Sequence, residues 1–335
     1  MIRYTFRLKD YRTILNGFAK LFHLKIQKKK LIFPEHIGRG YVYASNISPD
    51  ISYVVLDFKL KDDLALVRRK TSSYGLALSF IQIEVSEFFR LTEQNVSITT
   101  GSQKLNNIYL SSTNVEMEML ISKNSAVKLV VVFFSPNFIR KCIKKGILVD
   151  LQMYTDSGPE NIYREPITFE YKNLLDEIFK TDTNLPLSNL ALQNRVLMLT
   201  EKFLAAFLER ETENGKPKAS KLKEKDFQAL KEVEEILSQP ELDKFPSIEV
   251  LSKTAMMSST KLKTKFKSVY GMKLYEYYNR NRLEKAKDLL QTGRYSVKEV
   301  GLDIGFSNLS NFAKAFKKEF GILPNEMLRM GQNAH

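Results

Sequence analysis

The residues best placed to do chemistry are lysines. In KLKTKFK, residues 261–267, Lys261, Lys263, Lys265 and Lys267 alternate with other residues, and fifty residues further on Lys314, Lys317 and Lys318 stand in KAFKK. Ammonium groups in such numbers donate hydrogen bonds and neutralise charge, which suits an anionic partner. The competing reading is a solvated helix face, the commonest fate of a charge run. Catalytic chemistry has little to work with. The single cysteine, Cys142, sits among Phe138, Ile139 and Ile143 and reads as a buried thiol without a disulfide partner. The three histidines, His23, His36 and His335, are too few and too scattered for a metal centre or for His-dependent acid–base work. Asp62 and Asp63 lie in a Lys-rich turn and read as surface charge. The expectation is a protein that is not an enzyme and holds no metal or other cofactor.

The elements that must position the lysines repeat. Leu262 pairs with Phe312, Phe266 with Phe316, Lys267 with Lys317, Tyr270 with Phe320 and Gly271 with Gly321, all at an offset of 50. Upstream the offset falls to 49, pairing Leu251 with Val300 and Ser258 with Ser307. Each copy has a short apolar-periodic helix (247–253; 297–303) and a tight break (TAMMS; IGFSN). Gly305 suits the positive φ of a sharp turn, and Ser258 or Ser307 offers a hydroxyl as N-cap. A second helix keeps an apolar anchor at i, i+4 and is otherwise polar and basic. Gly271 or Gly321 ends it. Two helices joined by a tight turn, the second with a polar outer face, is a helix-turn-helix plan. Matching breaks and caps in both copies weigh against two generic solvated helices. Between positions 244 and 329 there are 17 Lys/Arg and 8 Asp/Glu, so this quarter of the chain holds +9 of the net charge of +14.

Residues 224–330 resemble the DNA-binding domain of AraC/XylS-type transcriptional regulators. The likeness lies in the central RLEKAKDLL helix, the I-G-F-S break, the spacing of Phe312 and Phe316, and Phe320, Gly321 and Pro324 in F-G-x-x-P. It covers under a third of the chain. Four positions depart from the family pattern. Gly301 stands where Ala is usual, which implies a first helix looser by up to about 1 kcal/mol. Ser252 replaces the equivalent Ala, Met256 occupies a frequent Gly position, and Met327 replaces an aromatic.

The resemblance implies that both recognition helices enter successive major grooves of double-stranded DNA, held roughly 34 Å apart by a linking helix. It assigns Thr260, Lys263, Thr264, Leu309, Ser310, Asn311 and Lys314 to base edges. Lys263 and Lys314 suit guanine O6/N7, Asn311 suits adenine, and Thr264 or Leu309 suits a thymine methyl. For Leu309 the alternative is packing on Leu302. Lys261, Lys267, Lys317 and Lys318 are placed for phosphates. Arg280 and Arg282 are open to either phosphate contacts or internal ion pairs. The resemblance also implies RNA polymerase as a partner and activation of transcription.

The rest of the chain reads as α+β in two domains. From 51 to 135, segments rich in β-branched and aromatic residues (ISYVVLDFKL, YGLALSFIQIEV, VKLVVVFFS) alternate with Ser/Asn/Gly-rich breaks such as TTGSQKLNN, which predicts an antiparallel sandwich or barrel. The resemblance makes this a cupin-like barrel that binds a small effector. A short helix is expected over 136–145. The expected organisation is a β-rich regulatory domain over 1–169, a helical region over 170–210, a linker over 211–223 with Gly215 and Pro217, and the all-α DNA-binding domain over 224–330. In the helical region Leu192, Val196, Leu199, Phe203 and Ala206 recur at helical spacing, and Leu197, Leu204 and Leu208 form a second apolar edge. Leu192, Val196, Leu199 and Phe203 are the candidate contacts of a homodimer, with burial inside one domain as the alternative. No apolar run is long enough to span a membrane, and MIRYTFRLKDYR carries charge where a signal peptide needs apolar residues, so the expectation is a cytoplasmic protein with no membrane partner. The alternatives are a DNA-targeted enzyme, which needs a reactive Cys or metal set, and an architectural DNA binder with no sensing role.

Overall fold

In a computed structural model, residues 1–7, 11–70, 75–93, 96–100, 104–135, 137–138, 141, 163–212, 224–239 and 244–333 are described. Cys142, His335, residues 213–223 of the linker expected over 211–223 and most of the helix expected over 136–145 lie outside them; residues 211–212 continue a helix. The chain divides into two compact units, Met1–Ala219 and Ser220–His335.

Alternating apolar residues build the first unit as two sheets. The strands are β1 (Ile2–Arg7), β2 (Lys30–Ile32), β3 (Gly38–Ser48), β4 (Ile51–Leu60), β5 (Leu64–Arg69) and β6 (Leu76–Glu84). They continue with β7 (Phe89–Glu93), β8 (Val96–Thr100), β9 (Lys104–Ser112), β10 (Met117–Ile121), β11 (Ala126–Phe134) and β12 (Tyr163–Pro166). One sheet has the order β1-β5-β10-β7-β8 and the other β12-β9-β6-β11-β4-β3-β2. Neighbours are antiparallel except β1, which pairs parallel with β5 from Ile2↔Leu64 to Arg7↔Arg69. Because strand side chains alternate between faces, the seven-stranded sheet feeds two cores. One face, with Leu56, Ala77, Ile81, Leu129 and Val131, packs on the five-stranded sheet and on helix α1 (Arg12–Leu21), which contributes Ile14, Leu15 and Phe18.

The opposite face, with Tyr53, Val55, Leu78, Phe80 and Val132, is covered by helices α2 (Phe169–Lys180) and α3 (Ser188–Thr212). Here the homodimer assignment is corrected. Leu192, Val196, Leu199 and Phe203 are at most 2% exposed and lie in this core with Phe207, so they are covered by their own sheet and not offered to a second chain. Phe203 meets the rings of Phe80 and Tyr163 edge-on. The outward face of α3 instead shows Leu190, Leu197 and Met198 to solvent. Leu208 has no described side chain.

The second unit is helical. It comprises α4 (Glu224–Leu237), α5 (Ile248–Thr254), α6 (Ser259–Tyr270), α7 (Leu274–Gln291), α8 (Val297–Asp303), α9 (Leu309–Phe320) and α10 (Pro324–Asn333). No described helix is long and apolar enough to cross a membrane, and no group of His, Cys, Asp and Glu among the described residues could hold a metal ion.

Candidate nucleic-acid interface

The helix pairs α5–α6 and α8–α9 are built by the same local chemistry. Ser247 Oγ accepts from Val250 N–H to start α5, and Ser258 Oγ accepts from Lys261 N–H to start α6. In the second copy, Ser296 and Glu299 form a reciprocal capping box at α8. Hydrogen bonds from Ser296, first from its backbone and then from its hydroxyl, hold the Glu299 carboxyl below its ordinary range. The cap of α9 corrects the sequence pairing. It is Asn308, not Ser307, whose Oδ1 accepts from Ser310 and Asn311 N–H at 2.9 and 3.1 Å. The offset of 49 holds through the break: Met257 N–H bonds Ser252 O as Phe306 N–H bonds Gly301 O. The inserted residue is therefore Ser307, and the offset of 50 resumes at the cap. In both breaks one residue turns left-handed, Gly305 at φ 77° and Met256 at φ 49°. Gly271 and Gly321 close the second helices at φ 74° and 78°.

Apolar anchors fix which face of α6 and α9 points outward. Leu262, Phe266, Phe312 and Phe316 are fully buried. Helix α7 serves both copies: Tyr277 packs its ring on Phe266 and Tyr270, while Leu283, Ala286 and Leu290 join Val300, Ile304, Phe312 and Phe316 in the second core. At 18 residues, α7 is about 27 Å long, close to the roughly 34 Å of one duplex turn.

Opposite the anchors, Thr260, Lys263, Thr264 and Lys267 are exposed on α6, and Ser310, Asn311, Lys314, Lys317 and Lys318 on α9. Lys261, Leu309, Arg280 and Arg282 also have neighbours within the unit. Lys261 is engaged at home, its Nζ 3.0 Å from the Asp226 carboxylate, which also pairs with Lys265 at 2.8 Å. The hydrogen bonds from Lys265 and Lys261 hold the Asp226 carboxyl below the usual range. Leu309, 38% exposed, has its Cδ2 over Gly301. Arg280 and Arg282 resolve to internal contacts: Arg280 pairs with Glu319 at 2.7 Å, and Arg282 donates to Ile304 O while stacking on Tyr278 and Phe306. Sequence reasoning missed Asp226, whose acidic position three residues into α4 was the only signal. Of the other departures, Ser252 Oγ bonds Ser259 Oγ at 3.2 Å, and Met327 fills the second core at 8% exposure.

A helix-turn-helix domain family matches residues 251–330. The chain is similar to the HTH-type transcriptional regulator MtrA of Neisseria gonorrhoeae, 32% identical over 99 residues, covering 30% of this chain and 32% of that protein. It is similar to the XylDLEGF operon transcriptional activator 2 of Pseudomonas putida, 34% identical over 87 residues, covering 25% of this chain and 55% of that protein. Among solved structures it resembles a probable AraC family transcriptional regulator from Rhodopseudomonas palustris. That match is 30% identical, covers 31% of this chain and 97% of that one, and has a TM-score of 0.29. Over this domain the chain is similar to regulators of the AraC family. AraC-type helix-turn-helix domains bind DNA, and the relatives named here are regulators of transcription. The chain spans about a third of the length of the first relative and about half of the second.

Proposed function

We propose that the protein is a sequence-specific, cytoplasmic regulator of transcription, acting as an activator through RNA polymerase under control of its N-terminal unit. The observation that carries this reading is the pair of capped helix-turn-helix units packed on opposite ends of α7, each with an exposed Thr/Lys or Ser/Asn/Lys face. Thr260, Lys263, Thr264, Ser310, Asn311 and Lys314 read bases, and Lys267, Lys317 and Lys318 hold phosphates. Leu309 divides its surface between Gly301 and a thymine methyl. Activation is supported by the name of the Pseudomonas putida relative. The deciding experiment maps binding sites across the genome and compares transcripts with and without the gene. Discrete sites upstream of genes that lose transcription support the reading; uniform coverage, or sites without transcript change, defeats it.

A further inference from the structure

The four lysines of α6 fall into two groups. Among the described residues, Lys261 and Lys265 are ion-paired, whereas Lys263 and Lys267 are exposed to solvent. One turn apart on the same flank, the paired two meet a single carboxylate. Asp226 Oδ1 lies 3.0 Å from Lys261 Nζ, and Asp226 Oδ2 lies 2.8 Å from Lys265 Nζ. Each oxygen thus holds one ammonium, and the Asp226 side chain is only 13% exposed. A pair sheltered in this way is screened by salt much less than one in open water. Fastening α4 does not call for it, because Phe227, Leu230, Val233 and Leu237 already bury the apolar face of that helix. The second copy has no counterpart of the arrangement: at the offset of 50, Asn311 stands for Lys261 and Ala315 for Lys265.

Affinity for a duplex has a large part that is independent of sequence, and it grows with every phosphate that a cation neutralises. Lys261 neighbours the exposed Thr264 at i, i+3 on the helix surface. A free ammonium there would add to that part without reading a base. We infer that Asp226 is a built-in brake on sequence-independent DNA binding. It occupies Lys261 and Lys265 and keeps both from phosphates, leaving Lys263 and Lys267 as the working cations of α6. Removing the carboxylate would turn internal contacts into backbone contacts. The inference rests on the DNA-binding reading proposed above and adds to it a residue that limits the binding and belongs to neither recognition helix.

The test titrates the full chain and its variants, at 50 and 200 mM salt, on a duplex selected from random sequence by the wild type and on a scrambled one. Asp226→Asn should bind both duplexes more tightly than wild type. Its advantage should grow about three- to twelvefold from 200 to 50 mM salt, the change that one or two added phosphate contacts give. Lys261→Gln should cost wild type little on either duplex, yet cost the Asp226→Asn chain about threefold more at the lower salt, because only there is the lysine free. Equal costs of Lys261→Gln in the two backgrounds overturn the inference, as does an Asp226→Asn chain that is folded and gains on neither duplex or on one alone. If Asp226→Asn does not fold, Lys261→Gln and Lys267→Gln in the otherwise wild-type chain decide. Lys267→Gln should then lose about threefold more affinity on lowering the salt, and Lys261→Gln should not; matching losses overturn the inference. A wild type that retains neither duplex defeats the DNA-binding reading as well, whereas a wild type that binds with the contrary variant results defeats this inference alone.

Discussion

Leu309, the first residue of α9, occupies the space that a side chain at Gly301 would need. A Cβ built on Gly301 would lie 2.8 Å from Leu309 Cδ2 and 3.1 Å from Phe312 Cδ1. The glycine in the middle of α8 thus trades helix propensity, roughly 1 kcal/mol against Ala, for close seating of a recognition-helix residue. Leu309 is the more yielding neighbour, because its side chain is partly exposed and Phe312 is buried.

It follows that Gly301→Ala should stabilise the protein more in a Leu309→Ala background than in the wild type, by about 0.5–1 kcal/mol. Denaturant unfolding of the four chains of this cycle measures the coupling. Strict additivity would mean that the two positions do not compete for space.

Met256 makes the left-handed turn that Gly305 makes in the second copy, at φ 49° and with its side chain 74% exposed. A non-glycine residue there carries a steric cost of about 1–2 kcal/mol. Met256→Gly should therefore raise stability by about 1 kcal/mol, after the entropy that glycine adds to the unfolded chain. Gly305→Ala should lower it by a similar amount. A melting temperature unchanged in both variants contradicts the account of the breaks.

How far the sequence was legible differs between the units. The repeat exposed the second unit because caps, glycines and the apolar anchors at i, i+4 are local signals, repeated twice. It misplaced one cap, since Ser307 and Asn308 are both good N-caps and only the backbone shows which one is the insertion. In the first unit the strands over 51–135 were readable by alternation, but β1 was not, because its parallel partner β5 lies some sixty residues away. Arg68 stands in the run RRK with no local sign of burial, yet in β5 it is 3% exposed. The apolar excess of α3 was real, yet periodicity does not say whether the covering surface is the same chain or another.

The covered face of α3 makes a prediction of its own. Leu199→Glu buries a carboxylate against Phe80 and its neighbours, so it should cost several kcal/mol at every protein concentration. Leu197→Glu, on the exposed face, should leave stability within about 0.5 kcal/mol. Sedimentation alongside thermal unfolding separates the effects. A Leu199→Glu chain that is folded but monomeric, from a dimeric wild type, would restore Leu199 to an interchain seam.

Glu234 on α4 accepts hydrogen bonds from Tyr277 at 2.7 Å and from Ser238 at 3.0 Å. Burial pushes its carboxyl up despite both bonds. A folded-state pKa above the unfolded value means that the folded state holds the proton more tightly. Stability is then greatest below the ordinary glutamate range and falls as pH rises towards the raised value. Glu234→Gln keeps an acceptor for Tyr277 and removes the charge, so its melting temperature should exceed that of wild type at neutral pH and converge with it in acid. Parallel pH profiles for the two chains would rule out this carboxyl as the source.

The central claim is that two helix faces read DNA while other lysines only hold it. Titration of the full chain and of Lys263→Ala, Lys314→Ala and Lys317→Ala on a selected duplex and a scrambled one, at several salt concentrations, tests this directly. Lys263→Ala and Lys314→Ala should each lose about 1–3 kcal/mol on the selected duplex and relax preference at one base position. Lys317→Ala should weaken both duplexes alike and flatten the salt dependence by about one phosphate. Equal losses on both duplexes for all three variants, or a wild type that does not distinguish the duplexes, would contradict the account.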